Sequence, residues 1–342
     1  MKSVLRATSP EDFEQLGSLL RAAFHAEPDD PLLERAHMDW KYWRERPDWN
    51  GSRSYVLERE HRFVAHGCAW PVELRSPTGP LRALHLIDWA ADPSAPGAGA
   101  LLTDRLLTLA DCIISVGGSE TTTRILPKLG FKPAGEFSTF ARPLHPWRQF
   151  VSHQHKNGKL PVRLVRNATW RLSGGRIPSD WHSRAAAPEQ IPADGRSPLR
   201  SGVHVPARSA SLYRYLLTCT TARFRIYAVH RDDELEGHFC LSFVPGQARV
   251  AEVRMKNADP AAWAVAYALA CREASSMGAA EIVASSSSQI GCEALISAGY
   301  RLREAVPIMC RAAAGVAPRA MEVEMIDGDA FFLHRRRPEY LT

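Results

Sequence analysis

The chain has 342 residues, 45% of them hydrophobic and 23% charged, the composition of a folded globular protein with room for two domains of ordinary size. Its 43 Lys and Arg against 37 Asp and Glu leave a net charge of +6, which suits an anionic ligand and does not by itself indicate nucleic acid as a partner. Seven scattered cysteines without a Cys-x-x-Cys pair argue against a disulfide framework or a thiolate metal site. No apolar run approaches the roughly 20 residues of a membrane span, and Met1-Lys-Ser-Val-Leu-Arg6 leads into an amphipathic pattern rather than a secretory leader. A cytoplasmic protein with buried free thiols and no metal is expected.

The first element is announced by Ser9-Pro10-Glu11-Asp12, with a capping serine, proline in the first turn and acidic residues beside it. Phe13, Leu16, Leu20 and Ala23 recur on one face, so a helix is predicted over Pro10 to Phe24. The Trp-rich segment Pro31 to Trp49, centred on Met38-Asp-Trp-Lys-Tyr-Trp43, offers rings that could stack on a planar acceptor, but a packed aromatic cluster is the preferred reading. Tyr55 to Glu58 and Phe63 to Leu74 alternate as antiparallel strands across Glu60-His61, and Ser76-Pro-Thr-Gly79 turns the chain into a strand over Leu81 to Ala90.

After that strand the period changes. Leu102, Leu106, Leu109 and Ile113 recur at helical spacing, and the turn before them holds Ser94, Ala95, Pro96, Gly97, Ala98, Gly99 and Ala100. Backbone N–H groups at a helix start lack intrahelical partners and sit at the positive end of the dipole, and small side chains let an anion reach them. A strand at Cys112 to Val116, a short helix from Ser119 to Leu129, its terminator Gly130-Phe131 and a strand at Glu136 to Ala141 follow.

This order of elements resembles the GNAT acyltransferase superfamily. In that family a loop of the type Arg/Gln-x-x-Gly-x-Gly/Ala after the fourth strand binds the CoA pyrophosphate, and a Lys-Leu-Gly-Phe element follows the next helix. Gly97 and Gly99 match the first pattern and Pro127-Lys-Leu-Gly-Phe131 the second, while Ser94 stands where the family has Arg or Gln. The resemblance implies a mixed α/β sheet that binds acetyl-CoA or another acyl-CoA at Ala91 and Ser94 to Ala100.

The pattern then repeats. Tyr55-Val-Leu-Glu58 and His66-Gly-Cys68 find counterparts in Tyr227-Ala-Val-His230 and His238-Phe-Cys240, the histidines and cysteines both 172 residues apart. Ala91-Asp-Pro93 answers to Ala258-Asp-Pro260, Leu129-Gly-Phe131 to Ala298-Gly-Tyr300, and Trp40-Lys-Tyr42 is echoed by Tyr213-Arg-Tyr215. A near-constant offset means internal duplication. Two tandem GNAT-like modules are expected, over 1–145 and 205–312, joined by a connector at 146–204 that carries one amphipathic helix near Trp147 to His155. Residues 313–342 should form a C-terminal strand or hairpin, Met321 to Leu333, and a basic tail, His334-Arg-Arg-Arg337. Trp263 and the lack of glycine at the second turn leave a phosphate cradle only in the first module.

Acyl transfer to an amine needs the thioester held in line, its carbonyl polarised and a proton removed. The resemblance puts the polarising N–H around Trp89 to Ala91 and a base on the same strand, Asp88 or His85, with Asp88 preferred. Alternation sends residues 85 and 88 to opposite faces unless a bulge intervenes, and Asp88 reads equally well as a structural carboxylate. The family's proton-donating Tyr position holds Leu126, and Leu295 in the second copy. An N-acyltransferase acting on a small amine, such as an amino sugar, is the leading expectation. The alternatives are an aminoacyl-tRNA-dependent transferase of the Fem type and a non-catalytic CoA-fold binding module.

Overall fold

The structure is a computed structural model that describes residues 3–77, 79–152, 160–192, 202–316 and 320–342. Thr78 of the expected turn, the end of the helix expected at Trp147 to His155 and parts of the expected connector lie outside the described residues. The chain forms two compact units: the described residues of Met1–Gly135, Arg200–Pro206 and Pro307–Met321, and those of Glu136–Leu199, Ala207–Val306 and Glu322–Thr342.

In the first unit the elements run β1 (Val4–Ala7), α1 (Phe13–Phe24), α2 (Arg35–Met38), β2 (Ser54–Arg59), β3 (Arg62–Ser76), β4 (Gly79–Ala91), α3 (Ala98–Leu106), β5 (Cys112–Val116) and α4 (Glu120–Ile125). Pro10–Asp12 form a 3-10 turn that enters α1, with the Ser9 amide donating to Asp12 Oδ2 at 2.9 Å. β1 to β4 pair antiparallel in sequence order, and β5 joins β4 in parallel. Leu57, Ala65, Ala69, Leu84 and Leu86 form one core with Ala98, Leu102 and Leu106 of α3, and α1 also packs on β3 and β4.

The rest of the chain runs β6 (Lys132–Pro143), α5 (Pro146–Ser152), α6 (Leu160–Leu172), β7 (Trp181–Ala185), β8 (Val203–Pro206), α7 (Ala210–Leu216), β9 (Arg223–Arg231), β10 (Glu234–Val244), β11 (Gln247–Met255), α8 (Pro260–Ser276), β12 (Glu281–Ser286), α9 (Gln289–Ser297) and β13 (Arg301–Ala312). β9, β10 and β11 pair antiparallel and β12 joins β11 in parallel, which repeats the order of β2, β3, β4 and β5. Residues 55–74 and 227–244 therefore form the same hairpin, as duplication requires.

Each sheet is completed by a strand from the other half of the sequence. In the first unit β5 pairs with Ile308–Ala312 of β13; in the second, β12 pairs with Ser138–Pro143 of β6. The strand expected to close the first module, Glu136 to Ala141, thus lies in the second unit. The expected connector is also more regular than its Pro, Gly and Arg content suggested, because α5, α6 and β7 fall within it and β7 pairs with β9. Met321 to Leu333 is not a hairpin. Only Ala320–Met321 are extended in a strand, and a 3-10 turn at Met325–Asp327 follows.

A fragment of residues 1–145 lacks the strand that covers Ile113 and Ile114 of β5 and leaves that edge open. It is expected to show no cooperative unfolding transition by circular dichroism, whereas the full chain does. A sharp transition in the fragment would contradict the exchanged strand.

Candidate functional site

The site of the first unit is built where β4 leaves β5. Parallel pairing covers only Ala83–His85 against Cys112–Ile114, although β4 continues to Ala91. The backbone from Leu86 onward therefore borders an open wedge. Within that stretch His66 faces Ala90 and Cys68 faces Ile87, so Gly67 alone stands opposite Asp88 and Trp89. This is a bulge, and Asp88 sits in it at a φ of +50°.

The bulge decides where the Asp88 side chain goes. Its Oδ2 accepts from the Tyr42 hydroxyl at 2.7 Å and pairs with Lys41 Nζ. Both partners belong to a π-helical turn, Asp39–Trp43. Arg53, fully buried, holds that turn by donating to the carbonyls of Trp40, Lys41 and Arg44, each at 2.9 Å. His85 stands opposite Trp70 on β3, and Trp70 packs against Trp40 of the same turn. Cross-strand partners share a face, so His85 and Asp88 both lie on the side covered by this turn. The Trp-rich segment is a packed cluster: Trp40, Lys41 and Tyr42 are buried.

Burial by itself would raise the Asp88 carboxyl, but the Lys41 charge and hydrogen bond, with the Tyr42 hydroxyl, hold it below the usual carboxylate range. His66 donates or accepts at both ring nitrogens, with the Asp88 carbonyl at 2.9 Å and Ser54 Oγ at 3.0 Å. Burial pushes its imidazole down to about 4 against the pull of the Asp88 carboxylate.

At the mouth of the wedge the chain makes an Asx turn, with Ser94 N donating to Asp92 Oδ1 at 2.8 Å and Ala95 N to Asp92 O at 2.9 Å. Gly97 then takes a φ of +82° that suits glycine and starts α3 without a side-chain cap. Ala98 N and Leu101 N donate to the Ala95 and Gly97 carbonyls. Among the described residues the amides of Gly97, Gly99 and Ala100 have no acceptor. Three N–H groups at one helix N-terminus fit a pyrophosphate. The indole sets a further limit at Gly99, where a Cβ would lie 3.1 Å from the Trp89 ring.

In the second unit the corresponding Asp259 accepts from Ala261 N at 3.0 Å, but α8 begins directly at Pro260. The carboxylate that makes a loop turn in the first unit is a helix cap here. Trp263 is buried, and its Nε1 donates to Asn257 O at 3.0 Å.

Sequence reasoning missed Lys41 and the buried polar cluster of the second unit. There Tyr213 donates to Glu252 Oε2 at 2.6 Å and lies 2.8 Å from His238 Nε2, while Arg208 and Arg254 bind Glu252 Oε1. Burial would raise Glu252, but the two guanidinium groups hold it well below the usual range. Tyr42 meets His66 edge-on at 5.4 Å and Tyr213 meets His238 edge-on at 5.7 Å. Tyr42 therefore corresponds to Tyr213, not to Tyr215 as the Trp40-Lys-Tyr42 echo had suggested. His238, Cys240 and Glu252 place ligand atoms within 4.8 Å of one another, yet the Glu252 oxygens are already taken by Arg208, Arg254 and Tyr213. Two guanidinium groups beside the cluster disfavour a cation.

No protein-family model matches the chain, and no curated protein matches it in sequence. Solved structures do. A GCN5-related N-acetyltransferase from Anabaena variabilis is 13% identical, with a TM-score of 0.59 over 91% of this chain and 73% of that one. A tandem GNAT protein from the clavulanic acid biosynthesis pathway is 10% identical, with a TM-score of 0.57 over 92% and 100%. N-myristoyltransferase of Saccharomyces cerevisiae is 12% identical, with a TM-score of 0.59 over 90% and 82%. At such identities the likeness concerns the fold alone: the chain shares the fold of these structures, the tandem GNAT protein included.

The His66 environment has a consequence for stability. Its folded pKa is depressed, so its contribution is complete above the unfolded value near 6.5 and is lost as pH falls through about 4, a change of roughly 3 kcal/mol. Denaturant titrations of the parent should show stability falling across that window. His66→Gln, which carries no titrating proton, should flatten that part of the curve. An unchanged slope in the variant would assign the pH dependence elsewhere.

Proposed function

We propose that the first unit binds one acyl-CoA, with its pyrophosphate on the amides of Gly97, Gly99 and Ala100, and transfers the acyl group to the amine of a small acceptor. The observation that carries this reading is the set of three unpartnered amides at the start of α3, together with the capped start of α8. Acyl-CoA supplies an activated thioester. Small residues from Ala91 through Ser94, Ala95, Pro96 and Ala98 leave the approach open, and the unpaired edge of β4 around Trp89 to Ala91 offers N–H groups to a carbonyl.

Asp88 takes the proton of the attacking nitrogen in this reading. Attack leaves that nitrogen positively charged and acidic, so a carboxylate held ionised by Lys41 and Tyr42 is an adequate acceptor. His85 stands at the root of the wedge as the alternative acceptor. Buried Leu126 offers no proton to the departing thiolate, so that proton comes from water, while the one taken from the nitrogen by Asp88 passes back to solvent.

Calorimetric titration with acetyl-CoA and a longer acyl-CoA tests the cradle. One site is expected. Gly97→Val cannot keep a φ of +82° and should lose two or more charge-assisted contacts, weakening binding on the order of a hundredfold. Ala264→Val in α8 should leave affinity unchanged. Two sites, or a Gly97→Val chain that binds as tightly as the parent, would rule the cradle out.

Asp88→Asn made together with Lys41→Met keeps the shape of the acidic side chain, removes its basicity and leaves no buried charge stranded. Turnover should fall at least about a hundredfold with the acyl-CoA dissociation constant within about twofold. Full turnover in this variant would transfer the role to His85.

A further inference from the structure

α6 buries one side and leaves the other apolar. Leu160, Asn167 and Trp170 face the unit, while Val162, Val165 and Leu172, at helical spacing on the opposite side, are 71%, 65% and 85% exposed. Beside it, Trp147 and Val151 of α5 are also mostly exposed, and Trp147 stacks on Phe150 at 5.3 Å. Among the described residues nothing covers this face, and an apolar surface of this kind marks a place of contact.

Its border is basic. Arg301 and Arg303 at the start of β13 lie over the Trp170 ring at 4.4 and 4.7 Å, on the flank of α6 that also carries Arg163 and Arg166. Arg166, Arg301 and Arg303 have no carboxylate within ion-pair distance among the described residues. Desolvation, and then the charges of the neighbouring arginines, lower the pKa values of Arg166 and Arg303, with Glu281 acting in the opposite direction on Arg303, as expected where positive charges lie close together.

We propose that this α5–α6 face docks on an anionic membrane surface, with Trp147, Val162, Val165 and Leu172 entering the headgroup boundary and the arginines meeting lipid phosphates. Charge selects this occupant. A second copy of the chain packed face to face would bring the same arginines against one another, which costs energy. Nucleic acid would use the arginines but would leave the aliphatic stripe uncovered. An anionic bilayer satisfies both halves of the surface at once.

The test is co-sedimentation of the full chain with phosphatidylcholine vesicles and with vesicles containing roughly one-third phosphatidylglycerol. Binding is expected only to the anionic vesicles and should weaken in high salt. Val165→Glu, on an exposed position, should lower binding about tenfold or more with an unchanged melting temperature. Arg301→Gln with Arg303→Gln should lower it about thirtyfold, at roughly fivefold per basic residue. The proposal is overturned by no binding to anionic vesicles, by binding indifferent to both variants, or by a parent dimer in sedimentation velocity that Val165→Glu dissociates. Retention of tRNA in place of vesicles, lost in the arginine variant and kept in Val165→Glu, would overturn it in favour of nucleic acid.

Discussion

The first unit is organised around a carboxylate placed in the bulge of its fourth strand. Asp88 can be there only because Lys41 and Tyr42 meet it, and they meet it only because Arg53 ties down the carbonyls of the turn that carries them. Removing one partner of a buried pair strands the other charge, at a cost of about 3–5 kcal/mol. The bulge, the π-helical turn and the divergence of β4 from β5 therefore form one construction. It leaves β4 with an unpaired edge beside the start of α3, where the unpartnered amides lie.

The second unit keeps the construction and changes its use. A tyrosine again bonds an acid on the fourth strand beside a histidine and a cysteine of the third, and a bulge falls next to Cys240. Here two arginines replace the single lysine, and Asp327 adds a further ion pair to Arg208 at 2.9 Å. The helix that should receive an anion is capped by its own aspartate. The two units thus differ at the same place: Asp259 caps the start of α8, whereas the start of α3 has no side-chain cap.

Much of this was legible in local pattern. The hairpins, the glycine turn and the repeat of His-x-Cys at a constant offset are short-range features, and each appears where the residues placed it. The exchanged strands were not legible, because Glu136 to Ala141 reads as a strand whichever sheet it joins and nothing local names its partner. Lys41 was hidden for a related reason: a lysine within Trp-Lys-Tyr looks solvated until Asp88 arrives from far along the chain. The duplicated tyrosine was found two residues out of register, since Tyr213 and Tyr215 look alike in sequence and only the contact with His238 separates them. The approach of the Trp89 indole to Gly99, at 3.1 Å from where a Cβ would stand, was not legible either, because it depends on the path of the strand beside the helix.

The account stands on the claim that an anion sits at the start of α3 and not at the start of α8. Backbone amide resonances recorded before and after addition of coenzyme A report this directly, since a phosphate oxygen accepting from an N–H moves that proton strongly downfield. Large shifts are expected at Gly97, Gly99 and Ala100, with Ala261 to Trp263 unmoved. Shifts confined to α8, or an α3 start that does not respond to saturating ligand, would contradict the account.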